Sequence, residues 1–313
     1  MNDNRSILAV IDPSAERHPA LERAAWFAES LGASLELLIC EYDQHLSGGR
    51  FVSSDAMEGA RRELLSGHER RLDALAAPLR EQGLTVGIDA RWEHPLDHGV
   101  LRKTAELQPI LVAKDTHYRS AIKRALFSNT DWNLIRSCSA PLLLVKPRQL
   151  AATPNILAAV DPMHAHAKPA ELDHEILALA KELATALHGK LEVFHAYDPA
   201  PVIAGATGST ASPIAVPVRE LTEALERSHR AALEQLLDGY PVRKSAVHLH
   251  EGAAAEALLA LSRNLPADIV VMGAISRSGL KKVFIGNTAE RVLDRLSCDL
   301  LIVKPAGFAV PVS

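Results

Sequence analysis

Cysteine is scarce, and the little there is cannot staple a fold. Cys40, Cys138 and Cys298 are the three cysteines of the chain. They form no CxxC pair and no even-numbered framework, which sets aside disulfide scaffolds and cysteine-rich zinc modules. Long apolar runs are missing as well. None approaches the roughly 18 residues a membrane helix needs, and the polar start Met1-Asn2-Asp3-Asn4-Arg5 does not read as a signal peptide. Charge of one sign is not in excess either. A net charge of -4 and a pI near 6.4 give no pull toward nucleic acid or an anionic membrane. The expected compartment is the cytoplasm.

Catalytic signatures are also absent. There is no GxSxG nucleophile elbow, no HExxH, and neither GxxxxGK[S/T] nor GxGxxG. No Cys–His or carboxylate pair has a spacing that demands catalysis. The expectation is a binding module rather than an enzyme, with weak ATPase activity kept as an alternative.

What is present is a repeat. At 313 residues the chain is long enough for two domains of roughly 150 each. Hydrophobic content of 48% beside 23% charged residues suits soluble domains with real cores. Val10-Ile11-Asp12-Pro13 is echoed by Val160-Asp161-Pro162, and toward the end of each half the copies align without a gap at an offset of 158 residues. Asn129-Thr130 then falls on Asn287-Thr288, and Val145-Lys146-Pro147 on Val303-Lys304-Pro305. Such a repeat decides the architecture. The expected domains are residues 1–147 and 154–313.

Within each copy, short β-branched runs alternate with amphipathic segments. In the first copy the spacing predicts strands at Ser6–Ile11, Ser34–Cys40, Leu84–Ala90, Ile110–Ala113 and Pro141–Lys146. Helices are predicted near Pro19–Leu31, Ser54–Arg80, Leu96–Glu106 and Asn129–Arg136. The second copy repeats them, with helices at Glu171–Leu187, Val218–Leu237 and Ala253–Leu261 and a third strand at Val242–His248. Alternating strands and helices imply a parallel sheet with right-handed crossovers. A doubly wound sheet of order 3-2-1-4-5 is the economical solution, and its switch point lies between strands one and four. That places Asp161 beside Gly273, and Asp12 beside Lys114-Asp115.

The stretch Asp268–Lys304 carries the most information. A strand, Asp268–Gly273, leads into a loop through Arg277, Gly279 and Gly286-Asn287-Thr288, then a helix start and a last strand. Asn287 or Thr288 can cap the helix, whose first amides then favour an anion. Gly273 to Thr288 resembles the glycine-rich loop of universal stress proteins, Gly-two-Gly-nine-Gly-Ser/Thr. Ser276 stands where that pattern has its middle glycine. The resemblance extends over nearly the whole chain and is to the long tandem, E-type members. It implies two tandem α/β sheets of adenine-nucleotide α-hydrolase-like type, and a stress-response signalling module. By position it also implies an ATP-like or related phosphorylated ligand in the second copy, held by Ala159, Val160, Asp161, Met272, Gly273, Arg277, Gly279, Gly286, Asn287 and Thr288. The alternative is that these glycines only turn a β–α connection.

The first copy reads differently. At the same offset Gly273 becomes Asp115, Ser276 becomes Tyr118, Gly279 becomes Ala121 and Gly286 becomes Ser128. Every loop glycine is gone, and a carboxylate at 115 repels phosphate, so this copy is expected not to bind ATP. The uncharged segment Pro199–Pro217 reads as a long loop, either a lid over an apolar ligand, lipid or metabolite, or a surface or contact segment. Fourteen histidines include His164, His166, His195, His248 and His250 at one sheet edge, and His94 and His117 in the first copy. Imidazoles suit zinc, but with no accompanying ligand motif they are read as solvated or structural. The copies are expected to pair as an intramolecular pseudo-dimer, with a homodimer as a further option through the last strands.

Overall fold

A computed structural model describes residues 5–46, 54–116, 128–163, 171–207, 217–274, 291–293 and 295–308. The chain divides into two units, Met1–Gln149 with Gly307–Ser313, and Leu150–Ala306.

In the first unit, β1 (Ser6–Val10), β2 (Ser34–Glu41), β3 (Val86–Trp92), β4 (Leu111–Asp115) and β5 (Leu142–Val145) form a sheet of order β3-β2-β1-β4-β5. All its pairings are parallel. β1, β4 and β5 are buried along their whole lengths, which is why their apolar residues run on rather than alternate, β4 ending in the buried pair Lys114-Asp115. Among the described residues four helices make the crossovers: α1 (Pro19–Leu31), α2 (Ser54–Glu81), α3 (Leu96–Leu107) and α4 (Asn129–Ser137). α1 begins on a proline, whose missing N–H costs nothing in the first turn, and ends at Gly32 with φ 63°, the left-handed cap glycine tolerates best.

The second unit repeats the order as β8-β7-β6-β9-β10, with β6 (Asn155–Ala159), β7 (Lys190–Tyr197), β8 (Val247–Glu251), β9 (Ile269–Gly273) and β10 (Asp299–Val303). These pairings too are parallel. Its helices include α5 (Glu171–Ala186), α6 (Ala200–Thr207), α7 (Val218–Leu237) and α8 (Ala254–Asn264). β4 and β9 match residue for residue at the offset read from the sequence. Each unit is thus a five-stranded doubly wound parallel sheet of order 3-2-1-4-5, as the spacing predicted.

Two local expectations change. The segment after β7 is not loop throughout, because its first part is the helix α6. Asp198 Oδ1 accepts the Ala200 amide at 3.0 Å, and Pro199 lies before the first turn, so a start signal sits just ahead of the uncharged run. Residues 208–216 lie outside those described. The third strand of the second unit lies five residues later than predicted at its start. Lys244–Ala246 form a 3-10 turn, and the strand starts only at Val247.

Candidate functional site

The carboxyl ends of the two central strands define the candidate site in each unit, because adjacent crossovers leave in opposite directions there. In the second unit the register pairs Ala159 with Met272, so the chain leaves β6 and β9 side by side at Val160-Asp161 and Gly273-Ala274. Val160 remains tied to the sheet, its amide donating to Phe194 O at 2.9 Å. The Asp161 amide donates to Asp173 Oδ1 at 3.0 Å. Asp173 belongs to the first turn of α5 and is wholly buried. The predicted residues Ala159, Val160, Asp161, Met272 and Gly273 therefore converge. Arg277, Gly279, Gly286, Asn287 and Thr288 lie outside the described residues, as do Ser276, His164 and His166.

Gly273 has a packing role of its own. A Cβ built there would stand 2.7 Å from Leu172 Cδ2 and 3.1 Å from its Cγ. Leu172 is fully buried on α5. Close approach of α5 to β9 thus calls for glycine at this position.

The first unit presents the same topological edge with its own carboxylates in place. Val10 pairs with Lys114 across the central strands. Asp115 Oδ1 accepts the Ala20 amide at 2.8 Å, so a β4 side chain occupies the N-terminal end of α1. That end has no side-chain cap from its own N-cap residue, His18. α4 is capped in turn by Ser128 and Asp131 in a reciprocal capping box: Ser128 Oγ accepts the Asp131 amide, and Asp131 Oδ2 accepts the Ser128 amide at 2.8 Å. Asp131 is wholly buried and pairs with Lys114 Nζ at 2.7 Å, and the same ammonium donates to Asp115 O at 3.1 Å. Where the second unit carries Met272-Gly273, the first carries Lys114-Asp115 with a buried counter-charge. Both helix N-termini beside its central strands already hold an anionic group, which is where a phosphate would go.

The histidines sort by environment. His94 stacks on Tyr42 at 4.1 Å between centroids, and His248 Nε2 lies 2.8 Å from Glu192 Oε2. Asp12, at the end of the first central strand, accepts both the amide and the hydroxyl of Ser14 at 2.7 Å. His117 lies outside the described residues. His195, buried within β7, places Nδ1 3.1 Å from Val160 O and Nε2 2.7 Å from His229 Nδ1 of α7. Burial lowers the proton affinity of both rings, opposed in His195 by the Val160 bond and Asp161, and in His229 by Asp161. His229 went unread in the sequence. A signal existed: it sits four residues before Leu233, the buried residue of α7, and four after Leu225, on one helical stripe. Among the described residues no group of three or more His, Cys, Asp or Glu side chains is placed to hold a metal ion. No helix among them is long and apolar enough to cross a membrane.

Two doubly wound parallel units of this order are of the adenine-nucleotide α-hydrolase-like class. The universal stress protein family model matches residues 3–146 and again 153–304, and the chain belongs to that family. It is a tandem, E-type member, which places it among stress-response proteins. It is 28% identical to universal stress protein E of Salmonella typhi over 318 residues, covering 98% of this chain and 96% of that one. It is 27% identical to the Escherichia coli K12 protein of the same name, with the same coverage. Among solved structures, a putative universal stress protein from Pseudomonas aeruginosa UCBPP-PA14 superposes with a TM-score of 0.75 at 28% identity, over 97% of this chain and 94% of that one. A functionally unknown protein from Pseudomonas aeruginosa PAO1 gives 0.75 at 27% identity over 97% and 93%.

Proposed function

We propose that the chain is a cytoplasmic ligand-binding module of the stress response whose second unit takes an adenine nucleotide, ATP-like, or a related phosphorylated ligand. The observation that carries this reading is the contrast between the two central edges. In the first unit Asp115 and Asp131 occupy the helix N-termini; in the second, Met272-Gly273 stand at the positions of Lys114-Asp115 and bring no charge. The second unit has Asp161 and Asp173 at its own edge, but its β9 end adds no carboxylate where β4 adds Asp115, so an anion is opposed less there. The rim of the site is Ala159, Val160, Asp161, Met272 and Gly273, with Arg277, Gly279, Gly286, Asn287 and Thr288 assigned by their place in the sequence motif. Arg277 would supply a charge-assisted contact to phosphate.

A second reading rests on α6. This helix is built of small and aliphatic residues without a charge, and Val202 is 45% exposed on it. Exposed aliphatic surface of that kind suits an apolar ligand or partner. Native mass spectrometry of the freshly purified chain, with no nucleotide added, separates the two. The nucleotide reading expects either bare protein that takes up one ATP on addition, or a co-purified mass matching an adenine nucleotide. A co-purified lipid-like mass that blocks ATP uptake would reverse the order of the two readings.

A further inference from the structure

The His195–His229 pair fixes its own protonation states. A carbonyl only accepts, so His195 Nδ1, 3.1 Å from Val160 O, carries a hydrogen. In neutral His195 the other nitrogen, Nε2, is then a lone pair. His229 Nδ1, 2.7 Å from it, must donate. That leaves His229 Nε2 as the nitrogen of the pair that can accept a proton with both hydrogen bonds kept. A second proton would set N–H against N–H at this distance and break the pair. The two rings together form a site for one proton.

The charges around this site are of mixed sign. His195 on β7 faces Asp161 beyond β6, Asp173 on α5 and His229 on α7. His229 faces Asp161 as well, and its ring packs on Tyr197, around which stand Glu226, Arg230 and Glu251. Burial opposes the cation at both rings and prevails, so the pair is neutral at neutral pH. The pair also grips the Val160 carbonyl, which belongs to the proposed ligand rim.

We propose that His195 and His229 couple the uptake of an anionic ligand in the second unit to the uptake of one proton, which enters at His229 Nε2 and leaves His195 holding Val160. The proposal rests on the reading of that rim as the site of a phosphorylated ligand. An anion there favours the protonated pair, and by reciprocity the protonated pair favours the anion. Affinity then rises as pH falls, by up to about tenfold per pH unit between the proton affinities of the free and bound forms. Without ligand the sign is opposite for stability. Unfolded imidazoles protonate at their ordinary value near 6.5 and the folded pair below it, so the stability this pair contributes is complete above pH 6.5 and is lost as pH falls through the folded value.

Two measurements on the full chain test it. Imidazole nitrogen NMR between pH 8 and 5, without ligand, is expected to show one proton taken up at His229 while His195 keeps its Nδ1–H form. Independent titration of both rings, or an Nε2–H form of His195, would overturn the one-proton pair. Calorimetry with ATP at pH 6.5, in two buffers of different ionisation heat, is expected to show more protons taken up per ATP bound, by up to one, in the natural chain than in His229→Gln. The variant's side chain can still donate to His195 but cannot titrate, so it reports the proton exchange of the ATP phosphates alone. Equal proton exchange in the natural chain and the variant overturns the coupling. ATP that fails to bind in either buffer overturns the coupling together with the nucleotide reading, and the NMR result tells this apart from failure of the pair.

Discussion

Asp131→Ala is expected to destabilise the first unit by about 3–5 kcal/mol, the range for removing one partner of a buried ion pair. Asp131 is wholly buried, holds Lys114 Nζ at 2.7 Å and closes the capping box of α4. Its removal therefore strips Lys114 of its counter-charge inside the sheet edge and also opens a helix N-terminus, the latter worth about 1 kcal/mol by itself. Adding Lys114→Met, which copies the residue at 272 in the other unit, should recover a large part of the loss. An apolar replacement of a whole buried pair is often close to neutral. Scanning calorimetry of the two variants decides the matter. A loss below about 1 kcal/mol in Asp131→Ala, or a double variant weaker than the single one, would show that the pair does not hold the edge together.

The second large effect is at Gly273. Valine there sets Cβ 2.7 Å from a methyl of Leu172, with Ile176 Cδ1 behind it at 3.4 Å. Leu172 is fully buried and cannot swing into solvent. Overpacking of this kind costs about 1–3 kcal/mol, and a β-branched residue should fall at the upper end. Urea unfolding of Gly273→Val is expected to show a lowered midpoint, with Gly273→Ala between it and the natural chain. Any loss of ligand affinity should then track the loss of stability. Full stability in Gly273→Val would mean that α5 does not pack closely on β9.

Much of the scaffold was legible because its signals are local. β4 and β9 open with short apolar runs at a fixed offset, and the Pro19 and Gly32 boundaries of α1 follow from backbone chemistry alone. The failures also have local causes. α6 was hidden because small uncharged residues carry no amphipathic stripe, and its start signal, Asp198, lies just outside the run. β8 was misplaced because Val242 and Ala246 extend the apolar pattern backward across a turn. The sequence shows Asp115 as a charge that repels phosphate, and the structure adds where that charge goes, onto the α1 amide of Ala20. Long-range pairs such as Lys114 with Asp131 or His195 with His229 join residues 17 and 34 apart, and no periodicity in one segment reveals them. The copy-to-copy contrast at 114–115 and 272–273 was legible, and the proposed assignment of a ligand to the second unit rests on it.

Titration of the full chain with ATP in a calorimeter addresses that assignment most directly, run on the natural chain and on Asp161→Ala and Asp12→Ala, the matching residues of the two units. The predicted result is one ATP per chain, with affinity about tenfold or more weaker in Asp161→Ala, which removes a residue of the proposed rim, equivalent to about 1.4 kcal/mol or more, and the same as the natural chain in Asp12→Ala. Two sites per chain, or affinity that depends on Asp12 and not on Asp161, would contradict it.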